Sequence, residues 1–190
     1  MRTKIVLING KKRSGKDFFA NELQQALSEN GATSELMSFA GPIKEILSKS
    51  FEIPVEVIDE CKNYPDYYPI DIYTPEGCEL TSFRKLLQRF GTDAMKEWFG
   101  EDVWTKLLME RAEKSDKDFV LVPDFRFLCE NVSDYTIKIR NDDVEPNDPH
   151  RSETELEDNN FIFRYHVNNT GHPDLFEDAQ RIAGTLVRSL

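Results

Sequence analysis

Near its start the sequence contains an apolar run that leads into a turn bounded by two glycines: Ile5-Val6-Leu7-Ile8-Asn9-Gly10-Lys11-Lys12-Arg13-Ser14-Gly15-Lys16-Asp17. A helical pattern begins directly afterwards, at Phe18. A strand, a glycine-bounded turn, a lysine and a helix in this order are typical of a phosphate-binding loop, because the glycines let successive backbone N–H groups point at phosphate oxygens. The helix directs the positive end of its dipole at the same place. Position 17 departs from the usual pattern, in which Ser or Thr offers a hydroxyl to Mg²⁺.

Composition limits the classes of function. The net charge of −11 over 190 residues argues against a general binder of nucleic acid polymers or of anionic membranes. The cations of the turn therefore form a local positive pocket, suited to a small polyanion. Three cysteines without CxxC spacing indicate reduced thiols rather than a metal site. The run Ile5–Asn9 is too short for a signal peptide and nothing approaches the ~20 apolar residues of a membrane span, so we expect a cytoplasmic protein.

The hydrophobic pattern alternates between strands and helices and predicts one α/β domain over residues 1–190, with a mostly parallel sheet between two layers of helices. Strands are expected at 5–8, 35–40, 118–122, 135–140 and 161–167. Helices are expected at about 15–30, from Gly41-Pro42, from Thr81 or Ser82, around 103–108 and after 171. We expect the second helix to bury Ile43, Ile46, Leu47 and Phe51, and the last helix to bury Phe176, Ala179, Ile182, Ala183 and Leu186.

Two segments lack this periodicity. From Pro54 to Cys78 the sequence is rich in proline and tyrosine (Tyr64, Tyr67, Tyr68 and Tyr73), which indicates a long loop. It either covers a substrate with rings that stack on a base, or is a surface loop packed by its own tyrosines. The polar segment 141–160 indicates an insert over the site.

An acidic residue follows the apolar strand 118–122. Asp124, at the carboxyl end of a buried strand, occupies the position of the carboxylate that holds Mg²⁺ in phosphate-binding folds, and Arg126 would reach the same crevice. The alternative is an aspartate that merely ends the strand in a turn. The phosphate-binding loop favours the functional interpretation.

These residues together resemble the deoxynucleoside monophosphate kinases of tailed bacteriophages, a branch of the adenylate-kinase-like P-loop fold. The matching motifs are Gly10–Asp17, Ala40–Lys44, Arg84 with Leu87–Asp93, Asp102–Trp104, Val122–Arg126, His150–Glu153 and Asn168–Gly171. They span nearly the whole chain in the order of that family. Asp17 after Lys16 is also what the family shows. Position 96, however, is Lys where several relatives carry Arg, so a bidentate phosphate contact is lost there.

The resemblance implies transfer of a phosphoryl group from ATP, with Mg²⁺, to a deoxynucleoside 5′-monophosphate (dNMP), giving dNDP and ADP for phage DNA replication in the host-cell cytoplasm. It implies a three-layer nucleoside monophosphate kinase fold with an NMP-binding region at about 41–92 and a lid at about 141–160, and it allows a homodimer. The residues expected at ATP are Gly10, Lys12, Arg13, Ser14, Gly15, Lys16, Asp17, Asn169 and Gly171. Those expected at the dNMP are Lys44, Arg84, Gln88, Arg89 and Thr92. Catalysis is assigned to Lys16, Asp124, Arg126, Arg140 and Arg151, and metal binding to Asp17 and Asp124.

Two alternatives stay open. One is a P-loop kinase for another small phosphorylated acceptor, since phosphomevalonate kinases share the Asp-x-Arg element after the strand. The other is a non-catalytic nucleotide-binding module. The sequence argues against this alternative, because it contains no Gln/Thr switch signature and no basic surface stripe.

Overall fold

The computed structural model describes residues 3–61, 70–74, 77–133, 135–143, 151–169 and 172–190. The chain divides into two compact units, Met1–Phe39 with Thr105–Leu190, and Ala40–Trp104. No helix within these described ranges is both long and apolar enough to cross a membrane.

In chain order, the strands and helices are β1 (Lys4–Gly10), α1 (Lys16–Glu29), β2 (Ser34–Leu36), α2 (Gly41–Phe51), α3 (Val55–Cys61), β3 (Ile70–Thr74), β4 (Gly77–Thr81), α4 (Phe83–Gln88), α5 (Met95–Phe99), α6 (Val103–Glu113), β5 (Phe119–Val122), β6 (Tyr135–Arg140), α7 (Arg151–Asp158), β7 (Tyr165–Asn168) and α8 (His172–Val187). A π-helical turn (Arg89–Ala94) joins α4 to α5, and a 3₁₀ turn (Leu128–Glu130) follows β5.

The first unit is built on a five-stranded sheet in the order β2-β5-β1-β6-β7, in which every neighbouring pair is parallel. The four residues of β5 and residues 5–8 of β1 are buried, as expected for strands covered on both faces. Helices α1 and α8 pack on one face, where their apolar side chains meet alternate residues of the strands. The predicted α/β fold with a parallel sheet is confirmed.

The second unit contains an antiparallel hairpin of β3 and β4, and a helical segment interrupted by the π-helical turn. Ser82 caps α4, since its side chain accepts a hydrogen bond from the backbone N–H of Lys85. Inside the turn, the Trp104 indole N–H donates to the carbonyl of Gly91 at 2.7 Å. A Cβ at Gly91 would lie 2.6 Å from Cδ1 of Ile43. The helical segment that follows Ser82 is therefore interrupted at Gly91-Thr92-Asp93, and a side chain at Gly91 would require Ile43 to shift.

Three predicted segments differ from the structure. The strand predicted at 35–40 ends at Leu36, because the backbone N–H of Phe39 donates to the Asp124 carboxylate and not to a neighbouring strand. The strand predicted at 161–167 begins only at Tyr165, because Phe161 and Phe163 pack edge-on against Phe125 first. Segment 54–78 contains α3, β3 and part of β4, which are too short to show periodicity; Tyr64, Tyr67 and Tyr68 lie outside the described residues.

Two predicted core residues are exposed. Ile46 in α2 is 39% exposed and Phe176 in α8 is 40% exposed. In α8 the buried position is Leu175, which lies one residue earlier and four before Ala179, so that both project from the same face. The predicted helix is therefore correct, but the predicted face is off by one residue at its first turn.

We expect Leu175→Ala to lower the free energy of unfolding by about 2–4 kcal/mol, since it removes a buried side chain from the interface of α8. Phe176→Ala is the matched control and should cost less than about 1 kcal/mol. Urea denaturation of both variants measures the two values. A larger loss at Phe176 than at Leu175 would contradict the orientation of the helix.

Candidate functional site

The loop between β1 and α1 lies at the point where the order of the strands in the sheet reverses. The chain places β2 and β5 on one side of β1 and then forms β6 and β7 on the other side. In open parallel sheets, ligands bind outside the carboxyl ends of the strands at such a reversal. The loop that the sequence predicts to bind phosphate is therefore located where folds of this kind bind ligands.

Neither glycine of this loop has room for a side chain. A Cβ at Gly10 would lie 2.3 Å from Oγ of Ser14 and 3.2 Å from the carbonyl oxygen of Ile139 in β6. A Cβ at Gly15 would lie 2.5 Å from Nδ2 of Asn169, and Gly15 also has a φ of +89°. Arg13 has a φ of 66° as well. Left-handed residues within such a turn direct successive N–H groups to one side, which makes a concave anion-binding backbone.

Asn169, the residue after the edge strand β7, holds the loop in place. Its side-chain amide donates to the carbonyl of Ser14 at 2.9 Å, and its backbone N–H donates to the carbonyl of Arg140 at 2.6 Å. Asn169 thus connects the loop after β1 with the last residue of β6. Gly171, which the resemblance also assigns to ATP, lies outside the described residues.

Ser14 is buried, and its hydroxyl has no hydrogen-bond partner among the described residues. A buried hydroxyl without a partner is costly. A ligand rich in acceptor oxygens would supply that partner. The loop therefore fits a phosphate chain in two respects, the close backbone packing at its glycines and this unpaired donor.

Lys16 and Asp17 are the first two residues of α1 and form an ion pair. Nζ of Lys16 lies 3.0 Å from Oδ2 of Asp17. The lysine side chain is only 12% exposed, whereas that of Asp17 is 76% exposed. Asp17 therefore neutralises Lys16 and presents its carboxylate to solvent at the N-terminus of the helix, where a negative charge is favourable.

Asp124 is fixed beside the loop, because β5 and β1 are neighbouring strands. One of its carboxylate oxygens accepts the Phe39 N–H at 3.0 Å. The next residue, Phe125, donates its N–H to the carbonyl of Ile8, and its own carbonyl accepts a hydrogen bond from the side-chain amide of Asn9 at 2.7 Å.

No group of three metal-ligating side chains exists among the described residues. Mg²⁺ usually takes only one or two carboxylates and completes its shell with water and substrate phosphates, so Asp124 and Asp17 fit that donor set.

Arg126 extends along the same edge and contacts α7. Its guanidinium forms an ion pair with Glu153 and donates to the carbonyl of Ser152 at 3.1 Å. Burial alone would lower the pKa of Arg126, but the carboxylates of Glu153, Asp124 and Glu130 outweigh burial and raise the pKa. The buried Glu130 also accepts the N–H groups of Arg126 and Phe127, at 2.7 and 3.0 Å. Arg126 is therefore charged and held in one orientation.

Sequence reasoning missed Lys138, which shares the carboxylate of Glu157 with Lys11 of the loop. Nζ of Lys138, a buried residue of β6, donates to Oδ1 of Asn9 at 2.6 Å and to Oε1 of Glu157 at 3.0 Å. Nζ of Lys11 lies 2.9 Å from the other oxygen of Glu157. Burial raises the pKa of the Glu157 carboxyl, but the hydrogen bonds from Lys11 and Lys138 outweigh it and the pKa is lowered. The available signal was a lysine inside a strand of a sheet expected to be covered on both faces.

A cleft of about 620 Å³ opens beside these two lysines. Ligand pockets of globular proteins have volumes of about 300–1,000 Å³. The cleft is lined by Lys11 and Ser14 of the loop, by residues 138–142, and by Phe161 and His166 near β7. The loop between β1 and α1 thus borders a space large enough for a nucleoside.

The remaining predicted cations are more accessible to solvent, and one of them, Arg140, lines the cleft. Lys12 is partly exposed, and Arg13 and Arg140 are exposed. Arg151 forms an ion pair with Glu155 on α7 and lies over the ring of Phe127 at 5.5 Å.

The predicted dNMP residues belong to the second unit. In α2, Lys44 is paired with Asp59 of α3 at 2.7 Å. Arg84 and Gln88 lie on α4, and Arg89 and Thr92 lie in the π-helical turn, a rare element that is frequent at functional sites. Lys96 is buried, and its Nζ lies 3.9 Å from a carboxylate oxygen of Glu101.

Comparison with known proteins adds little to this description. No family model matches the chain, and no curated protein matches it significantly in sequence. Among solved structures, dephospho-CoA kinase from Campylobacter jejuni is similar with a TM-score of 0.41 and 13% identity, over 100% of this chain and 98% of that protein. A likeness at this level assigns neither a family nor a substrate to the chain.

Close packing of the loop can be tested at Gly15. Gly31 is the matched control, because its φ is also positive (+80°) but a Cβ there would meet nothing within 4 Å. We expect Gly31→Ala to cost about 1 kcal/mol of unfolding free energy from backbone strain, and Gly15→Ala to cost at least about 1 kcal/mol more, because Asn169 must move.

Combining Gly15→Ala with Asn169→Ala should remove that excess, which chemical denaturation of all four variants would measure. Equal losses at Gly15 and Gly31 would show that Asn169 does not restrict the loop.

Proposed function

We propose that the protein transfers a phosphoryl group from ATP, with Mg²⁺, to a deoxynucleoside 5′-monophosphate. One observation carries the proposal. The loop after β1 is closely packed at its glycines and leads into Lys16, and Asp124 and Arg126 follow the neighbouring strand β5. The loop also lies where the order of the strands in the parallel sheet reverses. A backbone anion cradle, an acidic residue on the neighbouring strand and a fixed guanidinium are the parts that phosphoryl transfer requires.

Phosphoryl transfer needs little covalent chemistry from a protein, so positioning and positive charge dominate. In this proposal the loop backbone and Lys16 bind the β- and γ-phosphates. Arg126 stabilises the charge that develops on the transferred group. Asp124, with Asp17, would hold Mg²⁺, which would supply positive charge to neutralise the phosphates. The 620 Å³ cleft provides space for the nucleoside of ATP.

The acceptor half of the proposal rests on the second unit and on the resemblance in sequence. Lys44, Arg84 and Arg89 are cations, and Gln88 and Thr92 are hydrogen-bonding groups suited to a monophosphate and its base. Arg140, directly before the lid at about 141–160, and Arg151 within it would act from that side of the site. Closure of a lid would exclude water and so suppress hydrolysis of ATP.

The proposed reaction can be tested with a panel of dNMPs and non-nucleotide acceptors in a coupled assay for ADP release. We expect at least one dNMP to raise ADP production well above the rate with water. Lys16→Ala should abolish turnover and leave the melting temperature near that of the wild type, whereas the exposed Lys114→Ala control should retain activity. Stimulation by a non-nucleotide acceptor alone would replace the dNMP proposal with another kinase.

The acceptor site can be tested at Lys44. We expect Lys44→Ala to raise the KM for the dNMP roughly ten- to a hundredfold, the worth of a hydrogen bond to a charged group, with little change in the KM for ATP. Lys49→Ala, an exposed lysine of the same helix, is the control for charge. Asp59→Asn removes the partner of Lys44 and keeps the lysine. If Asp59→Asn and Lys44→Ala had the same effect, Lys44 would act only through the ion pair.

A further inference from the structure

A small cavity lies between the loop, Arg126 and α7. Its volume is about 10 Å³, and its charged lining residues are Lys11, Arg126, Lys138, Glu153 and Glu157. About 10–15 Å³ is the minimum for one water molecule. A phosphate group does not fit between the loop and Arg126 while α7 stays in this position.

The two carboxylates that fill this space lie on one face of α7. Glu153 and Glu157 are four residues apart, so their side chains project together. Glu153 is paired with Arg126, and Glu157 is paired with both Lys11 and Lys138. Each carboxylate therefore occupies the place that an anionic ligand would take among these cations.

The charges on the two sides are unequal. Among the described residues that line the cavity, three are cationic and two are acidic. Arg126 and Glu157 are both ionised at neutral pH, as the raised and lowered pKa values of their groups require. A phosphate chain carries more negative charge than two carboxylates, and exchanging one for the other keeps every cation paired.

We propose that Lys11, Lys138 and Arg126 form a phosphate subsite, and that Glu153 and Glu157 of α7 act as a latch that occupies it until a polyphosphate displaces them. This inference rests on the proposed function, because it assumes that the loop binds the phosphates of a nucleotide. It adds Lys138 to the residues that contact the ligand. It also makes release of α7 a condition for access to Arg126.

The latch makes two predictions for ligand binding, with inorganic tripolyphosphate as the probe in isothermal titration calorimetry. Glu157→Gln removes the competing charge and should tighten the Kd about two- to fivefold, the range expected for a partly exposed ion pair. Glu177→Gln, an exposed glutamate of α8, changes the net charge equally and should leave the Kd unchanged. Lys138→Met, which keeps an unbranched apolar stem but removes the ammonium group, should weaken binding.

Hydrogen exchange of the wild-type protein gives a second measurement that needs no variant. Saturating tripolyphosphate should increase amide exchange in α7 relative to the free protein, because the ligand releases the helix. Unchanged or slower exchange in α7 would overturn the latch. So would an unchanged Kd in Glu157→Gln together with a lower unfolding midpoint, because the glutamate would then serve the fold alone. If the wild type bound neither ATP nor tripolyphosphate, the proposed function itself would fail.

Discussion

The close packing of the loop after β1 is the constraint on which the site depends. At Gly10 the backbone lies against the carbonyl of Ile139, and at Gly15 it lies against the side chain of Asn169. The loop is therefore fixed by β6 and by the residue after β7, although it follows β1 in sequence. Asp124 and Arg126 follow β5, the other neighbour of β1. The pairing of these strands therefore places the loop close to these two charged residues.

A second regularity is that the more enclosed cations of the site are paired with carboxylates of the chain. Lys16 is paired with Asp17, Arg126 with Glu153, and Lys11 with Glu157. Each of these cations thus has a carboxylate beside it, in a protein whose net charge is −11. Under the proposed function a ligand would compete with carboxylates that are already in place, so we expect a small, densely charged anion to gain most from binding.

The sequence predicted those parts of the fold that local signals determine. Continuous apolar runs located β1 and β5, and the alternation over Tyr135–Arg140 matches the bounds of β6. The end of β2 could not be predicted, because it depends on a hydrogen bond from Phe39 to Asp124, 85 residues away in the chain. Likewise, two adjacent apolar residues at the start of α8 leave its first buried position open, and only packing selects Leu175 over its neighbour.

The least predictable part of the site is the one that α7 covers. Ile137 and Ile139 face α1 and α8, so Lys138 must face the other side of the sheet. The periodicity of the strand predicts this orientation of Lys138. It does not predict that Glu157 lies beside Lys138, since segment 141–160 has no apolar pattern that fixes its position. A lysine buried in a strand is costly unless an anion faces it. Such a residue in a covered sheet therefore predicts a buried negative charge, and the tertiary structure decides whether a carboxylate or a ligand provides it.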